Sequence, residues 1–93
     1  MAYRGVEVDY SGCNLPIEVI SDVIRRCADR VGRPGIVAKK GLTDTRLRRR
    51  QSAELYFYGA HCRRNAIKFQ DNLDQALEVL GTTSIRHKRW RYH

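Results

Sequence analysis

The sequence predicts a small α+β fold, two helices packed on one face of a mainly antiparallel sheet. Three observations carry this expectation. Several short stretches alternate apolar and polar residues, two longer stretches repeat their apolar residues every three or four positions, and glycine-containing turns separate the stretches.

The first stretch, Val6-Glu7-Val8-Asp9-Tyr10, has the period of a strand with one buried face, and Ser11-Gly12 turns the chain after it. From Leu15 the period changes: Ile17, Ile20, Ile24, Cys27 and Val31 step by three or four, and Val19, Val23 and Ala28 widen the stripe. This is a helix. Asn14 or Leu15 is its expected cap, Pro16 is tolerated in the first turn, Asp22 lies four residues before Arg26, and Gly32 is the expected stop.

Arg33-Pro34-Gly35 is a turn, and Ile36-Val37-Ala38 a brief strand before Lys39-Lys40-Gly41. Residues 42–52 read as a basic loop or one turn of helix, since Thr43 and Asp44 are helix-capping types and the arginines that follow suit a solvated loop equally well. Residues 54–58 and 66–69 are both strand-like, and 59–65 would join them as a hairpin. A second helix follows, capped by Asp71 or Asn72, with Leu73, Ala76, Leu77 and Leu80 as its stripe and Gly81 as its end. Residues 82–85 restart an extended segment that runs into 86–93. A ferredoxin-like split is the nearest named arrangement for this order.

At 93 residues the chain reads as a single domain, 1–93, with a basic and aromatic C-terminal segment at 86–93. A hydrophobic fraction of 42% and a charged fraction of 30% are those of a folding chain rather than a disordered one. Cys13, Cys27 and Cys62 are far apart and odd in number, which fits free thiols and a cytoplasmic location. The first residues lack the apolar core of a signal peptide, and no segment is long enough to cross a bilayer.

The formal net charge of +8 is unevenly placed. Residues 1–31 carry four arginines against five carboxylates, whereas residues 32–70 carry ten cations against only Asp44 and Glu54. Lys39, Lys40, Arg46, Arg48, Arg49 and Arg50 form the densest group. Only four of the chain's 18 basic residues are lysines. Guanidinium matches phosphate with two parallel hydrogen bonds, so the arginine preference favours polyanion binding over a merely solvated loop. Arg63 and Arg64 sit in the expected hairpin loop beside His61 and Cys62. In the C-terminal segment Arg86, Lys88, Arg89 and Arg91 interleave with Trp90 and Tyr92, a mixture that neutralises phosphates and stacks on exposed bases. The alternative there is a last strand with Trp90 and Tyr92 on the core. Tyr56 and Tyr58 alternate with Leu55 and Phe57, so one pair faces the helices and the other the open face of the sheet, where exposed aromatic residues can stack on bases. The basic residue, glycine and spaced aromatics of RNA-recognition modules are absent, which favours ordinary cross-strand partners.

Other chemistries have thinner support. His61, His87 and His93 are scattered, His61 and Cys62 show no metal-ligand spacing, and the glycines form no phosphate loop or dinucleotide fingerprint, so neither metal nor cofactor is expected. The first expectation is a non-enzymatic binding protein for nucleic acid or a nucleoprotein complex. Two rivals use the same residues: an inhibitor or adaptor docking on an acidic protein, and a small metal-independent ribonuclease. A homodimer through a strand edge or the first helix is compatible with each.

Overall fold

The computed structural model describes residues 3–13, 15–32, 34–42, 49–81 and 85–92, with 37–42, 49–50 and 86–92 described through their backbone. The elements run β1 (Tyr3–Asp9), α1 (Ile17–Asp29), β2 (Gly35–Leu42), β3 (Arg49–Tyr58), α2 (Cys62–Leu80) and β4 (Arg86–Tyr92). The four strands form one antiparallel sheet in the order β2-β3-β1-β4, and both helices pack on one of its faces. This is the α+β two-layer fold the sequence predicts, and its strand order is that of the ferredoxin-like split.

Period-two patterning builds the sheet. In β1 Val6 and Val8 are buried, as is Tyr10 just beyond, while Glu7 and Asp9 are half-buried on the other face. In β3 Ala53, Leu55 and Phe57 are buried, and Tyr58 is 55% exposed on the opposite face. Helix α1 closes the core with Ile20, Ile24, Cys27 and Ala28, a spacing that keeps all four on one side. Ile17 and Val19 are exposed, so the buried stripe is narrower than expected. Pro16 rather than Asn14 or Leu15 is the N-cap: its carbonyl accepts from the amides of Val19 and Ile20 at 3.0 and 3.2 Å, and Leu15 packs against the core instead. Asn14 lies outside the described residues. The chain leaves the helix through Arg30 and Gly32, whose φ of 118° needs a glycine.

The largest correction concerns 59–80. No hairpin joins 54–58 to 66–69; α2 begins at Cys62 and includes 66–69 and the expected cap residues Asp71 and Asn72. Cys62, Ala66, Phe69, Leu73 and Leu77 are its buried residues, one stripe at intervals of four, three, four and four. A strand over 66–69 would have exposed alternate residues, yet Ile67 and Lys68 are consecutive and both exposed. Gly59, at φ 94°, turns the chain before the helix, and Gly81, in the left-handed region at φ 72°, ends it as predicted. The Phe69 ring lies 5.7 Å from that of Phe57, joining α2 to the sheet at the centre of the core.

The second correction concerns the basic middle. Lys39 and Lys40 do not follow a short strand but belong to it, and Arg49, Arg50, Gln51 and Ser52 are not loop or helix but the first residues of β3. Pairing with β2 accounts for this, since Leu42 to Lys39 face Arg49 to Ser52 in continuous register.

Candidate functional site

The face of the sheet away from the helices follows directly from the register, because residues directly opposite across an antiparallel pair share a face. At one end of β1 the row is Tyr58, Tyr3, Tyr92 on β3, β1 and β4, and the next open-face row is Gly35, Tyr56, Gly5, Trp90 from β2 to β4. The third is Val37, Glu54, Glu7, Lys88, and the fourth is Lys39, Ser52, Asp9, Arg86. Beyond these rows β1 and β4 stop, while β2 and β3 continue as a pair through Gly41 opposite Arg50 and Leu42 opposite Arg49. One backbone bond, from the Tyr10 amide to the Gln51 carbonyl at 3.0 Å, marks where the third strand ends.

The predicted cations therefore fall into three places. Lys39, Lys40, Arg49 and Arg50 are brought together on the β2–β3 ribbon, and the intervening Arg46 and Arg48 lie outside the described residues. Arg86 and Lys88 occupy open-face positions of β4, whereas Arg89 and Arg91 occupy the alternate positions opposite Val6 and Arg4. Arg63 and Arg64 are not in a hairpin loop; they are exposed on the first turn of α2, beside a shallow cleft they share with Ile67 and Lys68. The rest of β3, from Arg50 to Tyr58, separates them from the ribbon, a span of about 27 Å at 3.4 Å per residue. They do not join the ribbon group.

Trp90 and Tyr92 take register positions opposite Gly5 and Tyr3, on the open face and not on the helix side. Tyr3 was not a sequence-derived candidate. Its ring lies 6.1 Å from that of Tyr56, edge-on at 60°, and 5.6 Å from that of Tyr58. Extending the alternation of β1 back from Glu7 through Gly5 was the signal that would have found it. Tyr56 and Tyr58 are thus cross-strand partners of Tyr3, as the alternation in β3 implied.

Carboxylates occupy the middle of the face. Glu7 and Glu54 are directly opposite, each half-buried, and the Tyr56 hydroxyl donates to Glu54 Oε2. Asp9 Oδ1 accepts from the hydroxyl of Ser11 and, at 3.0 Å, from its amide, which shapes the turn after β1. Cys13, Cys27 and Cys62 are free thiols, and the last two are buried. Burial pushes the Cys27 thiol up, although the charge of Arg30 acts the other way, and burial also raises the Tyr10 phenol. His61 is exposed at the N-cap of α2, near the Tyr58 end, whereas His87 pairs with Val8 near the ribbon. The two histidines are not brought together, and His93 lies outside the described residues. Among the described residues no group of three potential ligands can hold a metal ion, and no helix is long and apolar enough to cross a membrane.

The sequence matches no protein-family model and no curated protein. A solved structure, a hydantoinase/carbamoylase family amidase from Burkholderia ambifaria, is similar over 98% of this chain with 11% identity and a TM-score of 0.48. The chain spans only 27% of that protein's length.

Proposed function

We propose that this protein is a non-enzymatic binding module for nucleic acid, free or within a nucleoprotein complex, and that it docks through the β2–β3 ribbon. One observation carries the proposal: β2 and β3 stay paired beyond the end of β1, and the part without a third strand bears Lys40, Arg49 and Arg50. The link between the two strands, 43–48, adds Arg46 and Arg48 against a single carboxylate, Asp44. A two-stranded ribbon that runs on past the rest of the sheet can lie along a phosphate backbone, on a single strand or on a duplex, and contact several phosphates at once. Arginine supplies paired donors that match phosphate oxygens, and the scarcity of nearby carboxylates leaves the field of these cations uncancelled. The free thiols are consistent with action in a reducing compartment such as the cytoplasm.

The experiment is fluorescence anisotropy against labelled RNA, duplex DNA and an acidic polypeptide at several salt concentrations. Nucleic acid should bind with log K falling against log salt by about 0.7 per phosphate contact on single strands and about 0.9 on duplex. A salt-independent response rules the ribbon mode out. Tighter binding to the acidic polypeptide than to any nucleic acid would replace this reading with the adaptor or inhibitor class.

A further inference from the structure

The chain has eight aromatic residues, of which Tyr10, Phe57 and Phe69 are buried in the core. The other five, Tyr3, Tyr56, Tyr58, Trp90 and Tyr92, all occupy two adjacent rows at one end of the open sheet face. Neither helix packs there, so the helix–sheet core does not account for the concentration. We infer that this end of the open face is a stacking platform for the bases of single-stranded nucleic acid. The inference rests on the nucleic-acid reading of the ribbon and deepens it by naming the strandedness of the ligand.

Three features favour this occupant. Every base has a π-face, so aromatic rings on a sheet bind bases that are already unstacked and cannot reach those inside a duplex. Cations border the platform on one side: Lys88 and Arg86 follow Trp90 along the open-face positions of β4. The Tyr3 ring already packs against those of Tyr56 and Tyr58, which holds the three in place before a ligand arrives.

The test separates bases from phosphates. Wild-type protein is titrated with a labelled oligothymidylate of twelve nucleotides, its ribose counterpart, an abasic oligomer with the same number of phosphates, and a duplex of equal length. At least one of the two base-bearing single strands should bind about tenfold more tightly than the abasic oligomer and the duplex. Tyr58→Ala should lower affinity for that strand about tenfold and leave the abasic oligomer unchanged, whereas Tyr58→Phe keeps the difference. Because Tyr58 is 55% exposed, its replacement leaves the fold intact, which a thermal melt verifies. Equal binding of base-bearing and abasic oligomers, or duplex binding as tight as single-strand binding, overturns the platform while the ribbon reading stands. Binding to none of them overturns both. A dimer in sedimentation that Tyr58→Asp dissociates also overturns it, because a second copy would then cover the face.

Discussion

Replacing Lys40, Arg49 and Arg50 with alanine should remove most nucleic-acid affinity, while replacing Arg25, Arg26 and Arg30 should change it little. Each set removes three charges from a formal net of +8, so net charge is held equal between them. The surroundings differ. On α1, Arg26 is paired with Asp22 at 3.0 Å, and Glu18 and Asp29 lie on the same helix, so the local field is largely cancelled. That pair is exposed and contributes at most about 0.5 kcal/mol to stability, so the control variant remains folded. On the ribbon only Asp44 opposes the cations between 39 and 50. If the three ribbon residues each meet one phosphate of a single strand, their loss reduces the salt slope by about 2 units at 0.7 per contact. A fourfold rise in salt, from 50 to 200 mM, then shrinks the advantage of wild type over the ribbon variant roughly sixteenfold. Anisotropy titrations at the two salt concentrations measure both quantities. Equal weakening by the two triple variants would show that net charge alone drives association, and the ribbon would not be a site.

Two further outcomes test the core. Phe69→Ala should destabilise the protein by about 3–5 kcal/mol in urea unfolding, because the buried ring joins α2 to Phe57; a loss below about 1 kcal/mol would contradict the helical placement of 66–69. Stability should also fall as pH rises above 9. The raised Cys27 thiol and Tyr10 phenol keep their protons in the folded state where the unfolded chain, with ordinary values of 9.0 and 10.0, releases them. Their contribution is therefore complete below pH 9 and is lost as pH climbs toward the raised folded values. Urea unfolding across this range checks it, Cys27→Ala should flatten the first part of the decline, and stability rising above pH 9 would contradict burial of these groups.

The sequence revealed the layer arrangement wherever one period dominated a stretch. Val6, Val8, Leu55 and Phe57 alternate cleanly, and Ile20, Ile24 and Cys27 step cleanly, so β1, α1 and the second half of β3 were legible. The first turns of α2 were not, because Ala66-Ile67-Lys68-Phe69 is short enough to satisfy either period, and only Cys62 behind it and Leu73 ahead show that the helical one continues. Lys39, Lys40, Arg49 and Arg50 carry no apolar alternation at all. Their strand character comes from backbone pairing between β2 and β3, an interaction that leaves no mark in hydrophobic pattern. The same holds for the site. Each aromatic residue was visible singly, but that Tyr3, Tyr58 and Tyr92 share a row depends on the order β3-β1-β4, which local sequence does not encode.

The two proposed contact regions lie toward opposite ends of the sheet, and salt distinguishes their contributions. From the row of Tyr3 to the row of Asp9 is about 20 Å at 3.4 Å per residue, and the ribbon begins beyond that. Phosphate contacts derive their free energy from counterion release, which vanishes as salt approaches 1 M, whereas stacking persists there because it involves no ions. The line of log K against log salt should therefore respond differently to each group of residues. Ribbon replacements flatten its slope and leave the value extrapolated to 1 M salt nearly unchanged. Tyr58→Ala lowers that extrapolated value by about one logarithmic unit and leaves the slope unchanged. If Tyr58→Ala instead changed the slope, the tyrosine would be acting through the arrangement of cations around it. The open face would then be a support for the ionic site and not a second site.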